Sequence, residues 1–327
     1  MRTFLGVDGG GSKTRFALID EKGTVLAAHR EGSAYYLEIG LDSTREMLVR
    51  GIQQTLRQAG VSESQLTYAF ISLPSYGEDQ SLIERLDALP LAALPGQRFR
   101  CGNDMVCAWA GALAGAGGIT VASGTGSIAY GEFEGRAERA GGWGELFSDE
   151  GSSYWVAREG LRLFSRMSDG RTARGPLYDL MRSHFKLKVD LELCAAIYGS
   201  EAQQRSRLAQ LAQVVTRAAV EGDRAATELI ERAASELADL VDAVAAGLQI
   251  PANRSILVSY TGGMFRIGER LTAPLLSQLQ LRSARYVVTP PRFPPEIGAA
   301  LQAARLHQSP LDLAGLGALD EAASRLT

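Results

Sequence analysis

The chain of 327 residues has few of the side chains that build disulfide frameworks or metal clusters. It contains three cysteines and three histidines, and no two cysteines form a Cys-x-x-Cys pair. An odd, unpaired set of cysteines argues against a disulfide scaffold and a structural zinc site, and it is typical of a reducing compartment. The scattered histidines favour neither a histidine-rich metal site nor a histidine-based catalytic triad.

Long apolar runs and a strong charge of either sign are also absent. No stretch of about eighteen apolar residues occurs, so we expect no transmembrane helix. The apolar run near Met1 is too short for a signal peptide. The formal net charge is −3, which makes nucleic acid and anionic membranes poor candidates as partners. We therefore expect a cytoplasmic protein that binds neither.

What the sequence does contain is a pattern of strands and glycine-rich turns that occurs twice. β-prone runs flank the glycines of DGGGSKT near the start, and ITVASGTGSIAYGEF repeats the order of strand, Gly-Thr/Ser turn and strand. Between them, AGAGG at 114–118 is the first candidate domain boundary. The sequence thus predicts an α/β protein with two similar halves. Helical periodicity covers 43–59, 81–89, 104–114, 155–165, 208–221, 225–248 and 295–306.

The first glycine turn could hold a phosphate, but it is neither of two familiar phosphate loops. A P-loop needs Gly-Lys-Ser/Thr in succession and a helix behind it, whereas Ser12 separates Gly11 from Lys13 and the following RFALID alternates like a strand. A dinucleotide loop also needs a helix. What remains is a hairpin turn, either a plain one or one whose backbone N–H groups face an anion. Asp8 is placed either to hold Mg²⁺ or to initiate the turn.

Two further turns make a nucleotide more probable than the first turn alone would. Residues 123–127, Ser-Gly-Thr-Gly-Ser, form a second glycine/hydroxyl turn that could hold the same polyphosphate from another side. Gly262 and Gly263 follow a third strand, where a flat base could approach the backbone. Three such turns in this order are more specific than any one of them.

The motifs DGGGSKT, NDMVCAWAGA, ASGTGS, GGWGELFSDEGSSYW, TGGMF and PPEIGAALQA resemble those of the BadF/BadG/BcrA/BcrD ATPase family, and most of all its N-acetylglucosamine/glucosamine kinase branch. The resemblance runs from about Gly6 to Ala304. It implies two ribonuclease-H-like (actin-like ATPase) lobes around a nucleotide cleft, which close on the substrates. We expect lobes at 1–117 and 118–327, with the final helix, about 295–306, as a candidate to pack back on the first lobe.

The resemblance also implies the reaction and the groups that hold ATP. The γ-phosphoryl group of ATP would pass in line to the 6-hydroxyl of an amino sugar such as N-acetylglucosamine or glucosamine, with Mg²⁺ bound through Asp8. The residues implied for ATP are Gly9, Gly10, Gly11, Ser12, Lys13, Thr14, Gly124, Thr125, Gly126, Ala219, Gly262 and Gly263. A homodimer is a further expectation from the family.

Asp104 is the residue that the resemblance implies as catalytic base. It follows a short strand and opens a helix, so Asn103 or Asp104 is also a candidate N-cap, and the two roles are compatible. The residues implied for the sugar are Tyr35, Ser75, Asp104, Ser127, Gly142 and Asp149. The alternative for Asp149 is a role at a helix N-terminus, where a carboxylate interacts favourably with the helix dipole.

Two positions depart from the N-acetylglucosamine kinase pattern, and two other functions stay open. Tyr35 and Ile128 stand where those kinases have asparagines, which leaves the identity of the sugar open. An iron–sulfur activator ATPase of the same family is disfavoured because Val-Ala-Ser-Gly-Thr-Gly lacks its cysteine. A silent ATP or sugar sensor is disfavoured by Asp104. Regulators of the superfamily carry a helix-turn-helix ahead of the first strand, and we expect none here.

Overall fold

The computed structural model describes residues 1–199 and 205–323, and these form two compact α/β units. The first unit comprises residues 1–117 together with the residues from Pro290 onward, and the second comprises residues 118–289. The second unit therefore ends at Thr289, short of the end at 327 that the sequence suggested, because the last helices pack within the first unit. Among the described helices, none is both long and apolar enough to cross a membrane.

The secondary structure alternates strands and helices in both units. The strands are β1 (Thr3–Gly9), β2 (Thr14–Asp20), β3 (Val25–Glu31), β4 (Tyr68–Leu73), β5 (Phe99–Asn103), β6 (Gly118–Ser123), β7 (Ser127–Phe133), β8 (Arg136–Gly141), β9 (Ile256–Thr261) and β10 (Tyr286–Val288). The α-helices are α1 (Tyr36–Ile39), α2 (Leu41–Gln58), α3 (Ile83–Asp87), α4 (Asp104–Ala112), α5 (Ser153–Ser168), α6 (Pro176–Phe185), α7 (Glu192–Tyr198), α8 (Arg205–Ala209), α9 (Ala212–Val220), α10 (Arg224–Leu248), α11 (Glu269–Arg282), α12 (Pro295–Leu306) and α13 (Leu313–Ala323). Short 3₁₀ helices cover Glu63–Gln65, Gln80–Leu82, Leu89–Ala92 and Gly263–Ile267.

The two sheets have the same topology. The first has the strand order β3-β2-β1-β4-β5, and the second has β8-β7-β6-β9-β10. In each, the first three strands form an antiparallel meander, the fourth pairs in parallel with the first, and the fifth pairs in parallel with the fourth. Short glycine turns suffice for the antiparallel pairs, whereas the parallel strands need helical crossovers. The prediction of an α/β chain with two similar halves is confirmed.

Helix α12 lies in the core of the first unit, although it follows the second unit in the chain. It packs against β1, β4 and α4, and its eight consecutive residues at 297–304 are buried. Close packing on α4 requires glycine at position 298, since a Cβ there would lie 2.1 Å from the Cys107 carbonyl oxygen. Small side chains along the helix thus allow two backbones to approach and place its first turn, with Glu296, near β1.

Two predicted helices are interrupted in the structure. The segment 81–89 becomes a 3₁₀ turn followed by α3, and Pro90 belongs to the next 3₁₀ turn. The segment 208–221 breaks between α8 and α9, where the Gln210 and Leu211 N–H groups donate to carbonyls three residues back. Tightening of this kind ends an α-helix. Elements that the sequence did not indicate are β8, α6, α7, α11 and α13, the last within the tail that had no assignment.

Candidate active site

The first glycine turn joins β1 to β2 as an open hairpin. The Gly10 N–H donates to the Lys13 carbonyl at 3.1 Å, while Gly11, Ser12 and Lys13 are exposed and Thr14 is buried. No atom lies within 4 Å of a Cβ built on Gly11. The turn therefore presents free backbone and a lysine to solvent, which suits an anion, and no helix follows it.

Three carboxylates of the first unit interact near the end of β1. Burial, together with the negative charges of Glu296 and Asp104, raises the pKa of the Asp8 carboxyl to about 7, although Arg15 and Lys13 oppose the rise. Arg15 lies 3.6 Å from a Glu296 carboxylate oxygen. That oxygen, Oε2, is buried and accepts no hydrogen bond from the residues that the structure describes. This edge of the sheet therefore has an excess of negative charge.

These carboxylates fit a divalent cation that also has ligands from elsewhere. Among the described residues, no three His, Cys, Asp or Glu side chains converge as a complete metal site. Mg²⁺ is usually bound through one or two carboxylates plus water and substrate phosphates. Such a cation would stabilise the ionised form of Asp8 and would give a partner to the Glu296 oxygen that accepts no hydrogen bond from the described residues. Glu296 was not among the predicted site residues.

Asp104 begins α4 directly after β5, at the carboxyl end of a parallel strand. The N-cap of this helix is Asn103, whose Oδ1 accepts from the Met105 N–H at 3.0 Å. Asp104 is therefore not required as the cap. Burial raises the pKa of its half-buried carboxyl to about 6, although neighbouring backbone N–H groups lower it. A carboxylate with this pKa is ionised at neutral pH and basic enough to accept a proton.

The structure brings Tyr35 and Ser75 to the same edge of the first unit. The Tyr36 hydroxyl donates to the Ser75 carbonyl at 3.0 Å, so the segment with Tyr35 is tied to the loop after β4. Ser75 has a φ of +59°, a conformation that L-residues adopt rarely and that clusters at functional sites. Asn103 Nδ2 donates to the Tyr76 carbonyl at 3.3 Å, which links this loop to the start of α4.

In the second unit, two glycine turns meet. The turn between β6 and β7 is closed by a bond from the Gly124 N–H to the Gly126 carbonyl at 2.9 Å. Gly262 approaches it so closely that a Cβ there would lie 2.3 Å from the Ser123 carbonyl oxygen. Gly263 follows in the 3₁₀ helix, and Thr125 is exposed at the tip of the turn. The glycine that follows β9 thus lies beside the turn at 123–127, which a shared role in nucleotide binding would require.

Ser127, Gly142 and Asp149 also lie together in the second unit. The Ser127 N–H donates to Asp149 Oδ1 at 3.2 Å, and its hydroxyl donates to the Glu150 carbonyl at 2.6 Å. A Cβ on Gly142 would lie 2.9 Å from Ile128 Cδ1. Ile128 therefore covers the glycine with an apolar surface, where a hydrogen-bonding side chain would otherwise be available to a sugar.

Two observations depart from the predicted residue set. Ala219 is buried in the apolar core of the second unit near the end of α9, and the contacts of the described residues do not place it beside the glycine turns. Arg205, which was not among the predicted site residues, forms an ion pair with Asp149. No sequence pattern points to Arg205, because 56 residues separate it from Asp149 and no local spacing connects the two.

Comparison with known proteins agrees with the motifs. The model of the BadF/BadG/BcrA/BcrD ATPase family matches residues 5–303. The chain belongs to the BadF/BadG/BcrA/BcrD ATPase family. The family resemblance inferred from the sequence motifs is thereby confirmed.

Relatives of this BadF/BadG/BcrA/BcrD family member include named sugar kinases. N-acetyl-D-glucosamine kinase of Dictyostelium discoideum is 26% identical and the match covers 92% of this chain and 97% of that protein. N-acetylmuramic acid/N-acetylglucosamine kinase of Clostridium acetobutylicum is 31% identical, with 81% and 86% covered. A solved structure from Chromobacterium violaceum, provisionally named N-acetylglucosamine kinase, is 26% identical, with a TM-score of 0.69 and 93% and 99% covered. The predicted fold class is confirmed.

Proposed function

We propose that this chain is an ATP-dependent kinase that phosphorylates the 6-hydroxyl of an amino sugar, such as N-acetylglucosamine or glucosamine. The observation that carries the proposal is the placement of two carboxylates at one edge of the first sheet, Asp8 near the end of β1 and Asp104 directly after β5, and the raised pKa of each supports it. Two carboxylates at one sheet edge with different surroundings suit two roles, a cation ligand and a proton acceptor. The names of the relatives support the substrate class.

In the proposed reaction, Asp104 accepts the proton of the 6-hydroxyl as that oxygen attacks the γ-phosphorus in line. The turn at 9–14, with Lys13 as a cation, is proposed to hold phosphate oxygens, and the turn at 123–127 is proposed for the same role. Asp8, with Glu296 nearby, would hold Mg²⁺, which would supply neutralisation of charge on the transferred phosphoryl group. Gly262 and Gly263 lie against the adenosine, and Ala219 stays a weaker candidate for the same role.

The residues proposed for the sugar are Asp104, Tyr35 and Ser75 in the first unit, and Ser127, Gly142 and Asp149 in the second. Asp149 accepts hydrogen bonds from sugar hydroxyls, and Tyr35 donates one or stacks on a sugar face. We also propose that the protein acts in the cytoplasm, as its three free cysteines suggest, and that it forms a homodimer, as expected from the resemblance.

A coupled assay of ADP release with Mg-ATP tests the function. The sugars are N-acetylglucosamine, glucosamine, N-acetylmuramic acid, N-acetylmannosamine, glucose and none. Each is run with the wild type, with Asp104→Asn and with Asp42→Asn, a matched control at an exposed aspartate. We expect sugar-dependent ADP that is lost in Asp104→Asn alone. Release of ADP at the same rate with and without sugar would indicate an ATPase that acts on another partner. No release of ADP under any condition would indicate a silent sensor.

A further inference from the structure

Asp149 is a buried carboxylate in an unusual backbone conformation. Its side chain is 3% exposed, and its φ is +64°. Its Oδ1 accepts from the Ser127 N–H at 3.2 Å, which fixes the carboxylate against the second glycine turn. A buried carboxylate stays ionised only if hydrogen bonds or an opposite charge replace the water that it has lost.

The opposite charge comes from Arg205, at the first position of α8. Its Nη2 forms an ion pair with Asp149 Oδ2, and its Nε lies 3.3 Å from a Glu145 carboxylate oxygen. The guanidinium is also in contact with the turn, because a Cβ on Gly126 would lie 2.5 Å from Arg205 Nη2 and 2.9 Å from Asp149 Oδ1. Turn, carboxylate and arginine thus form one packed cluster, which we call the Asp149 cluster.

We propose that Arg205 is a positioning residue for sugar binding, which keeps Asp149 ionised and oriented toward the sugar hydroxyls. The inference rests on the proposed function, in which Asp149 binds the sugar. Arg205 itself contacts no substrate in this scheme; it acts through the carboxylate. Its fork of N–H groups fits a carboxylate better than a lysine ammonium does, so it contributes orientation as well as charge.

The groups that face Asp149 have opposite effects on the pKa of its carboxyl. Burial raises the pKa of its carboxyl, the Ser127 N–H and the Arg205 charge lower it, and the charges of Glu145 and Glu150 raise it. Loss of the Arg205 charge would raise this pKa further, so that more of the carboxyl is protonated at low pH and is then a weaker acceptor for the sugar hydroxyls. Loss of the Glu145 charge would have the opposite effect.

The charge balance also argues against another role for Arg205, that of binding an acidic group on the sugar. Asp149 and Glu145 both contact it, and together they carry one more negative charge than it can neutralise. Among the described residues its buried Nε has no hydrogen-bond partner, and it lies 3.3 Å from a Glu145 carboxylate oxygen. An additional carboxylate would add repulsion at a cluster that is already negative.

The experiment measures sugar binding by calorimetry as a function of pH. N-acetylglucosamine is the probe, or glucosamine if the ADP assay selects it. All variants carry Asp104→Asn, so that the base does not contribute to the titration. Added to this background are Arg205→Met, Arg205→Lys, Glu145→Gln and, as a matched control, Arg224→Met, which removes an arginine that is 92% exposed. Thermal unfolding of each variant confirms that it is folded.

We expect Arg205→Met to raise the Kd about tenfold or more at about pH 5.5 and much less at about pH 8. Arg205→Lys should keep the wild-type pH dependence with a smaller, uniform loss of affinity. Glu145→Gln, a change at the surface that does not threaten folding, should shift the loss of sugar affinity at low pH to a still lower pH. Arg224→Met should match its background.

Three results would overturn the inference. The first is a fall in sugar affinity at low pH that occurs at the same pH in Arg205→Met, in Glu145→Gln and in the background protein. The proposed function would then stand, and this inference would be wrong. The second is a loss in Arg205→Met that is equal at every pH, which indicates a purely structural role. The third is unchanged sugar binding with weakened binding of ATP, which would assign Arg205 to the phosphates. No sugar binding in wild type would instead refute the proposed function on which the inference rests.

Discussion

The two units share one strand order and differ at the glycine turn that follows the first strand of each sheet. In the first unit the tip of that turn is exposed, and Asp8 beside it interacts with two further carboxylates. In the second unit the turn packs against Asp149, which forms an ion pair with Arg205. The same topology therefore supports a cluster of interacting carboxylates in one unit and a carboxylate paired with an arginine in the other.

This difference indicates how a duplicated fold can divide the work of one reaction. A cluster of interacting carboxylates attracts a cation and holds a base of raised pKa, which are needs of the chemical step. A carboxylate that is paired with an arginine is a stable hydrogen-bond acceptor at neutral pH, which is a need of binding. We therefore expect changes in the first unit to affect turnover and changes in the second to affect affinity.

The largest expected effect tests this division directly. Asp104→Asn should lower kcat by about two to four orders of magnitude, because no other group would accept the hydroxyl proton, and it should leave the KM for ATP nearly unchanged. Asp149→Asn should mainly raise the KM for the sugar. Steady-state kinetics of the two variants, with the sugar that the ADP-release assay identifies, measure this difference between kcat and KM. Equal losses of kcat in both would contradict the division of roles.

A matched pair of glycines gives the next effect. Gly126→Ala should lower kcat/KM for the sugar by about tenfold to a hundredfold, because the new methyl group would displace the Arg205–Asp149 pair. Gly11→Ala should change it by less than about threefold, since nothing lies within 4 Å of a Cβ at Gly11 and alanine keeps the backbone N–H. The measurement is the ratio of the two kcat/KM values. A larger loss at Gly11 would show that the open turn is more constrained than the structure indicates.

The raised pKa of Asp8, about 7, predicts a pH-dependent need for magnesium. A proton competes with the cation for this carboxylate, so the apparent affinity for Mg²⁺ should fall about tenfold per pH unit below about pH 7 and level off above it. Titration of ADP release with Mg²⁺ from about pH 6 to pH 8 measures this. Asp8→Asn should weaken the affinity at every pH and remove the dependence, whereas Asp149→Asn should keep it. A profile that is flat in wild type would argue against Asp8 as the metal ligand.

The sequence predicted the repeated topology because strands, turns and helices leave local periodic signals. β4, β10 and α12 were predicted from end to end, since prolines, glycines and apolar runs mark their limits. Glu296 was missed although it lies in a quoted motif, because its role depends on α12 packing across β1. Arg205 was missed because only the folded second unit brings it to Asp149. Local patterns predict elements, whereas the charges that meet at a site depend on long-range packing.

The smallest expected effects compare the N-caps of the two helices that border the candidate sites. Ser152→Ala removes the bond from the Trp155 N–H to the serine hydroxyl at the start of α5, and Asn103→Ala removes the corresponding cap of α4. Each should cost about 1 kcal/mol, which lowers the melting temperature of its unit by about 2–4 °C. Differential scanning calorimetry measures both changes.

The two caps should differ in activity, however, because only Asn103 also holds the loop after β4 through Tyr76. Asn103→Asp is the control that separates these functions: aspartate caps a helix as well as asparagine does, but its carboxylate cannot donate to the Tyr76 carbonyl. We expect Asn103→Asp to keep the wild-type melting temperature and to lose sugar-dependent turnover, while Ser152→Ala loses stability and keeps turnover. If Asn103→Asp kept full turnover as well, the bond to Tyr76 would have no part in aligning Asp104. The contribution of the first unit to turnover would then depend on the placement of its carboxylates alone.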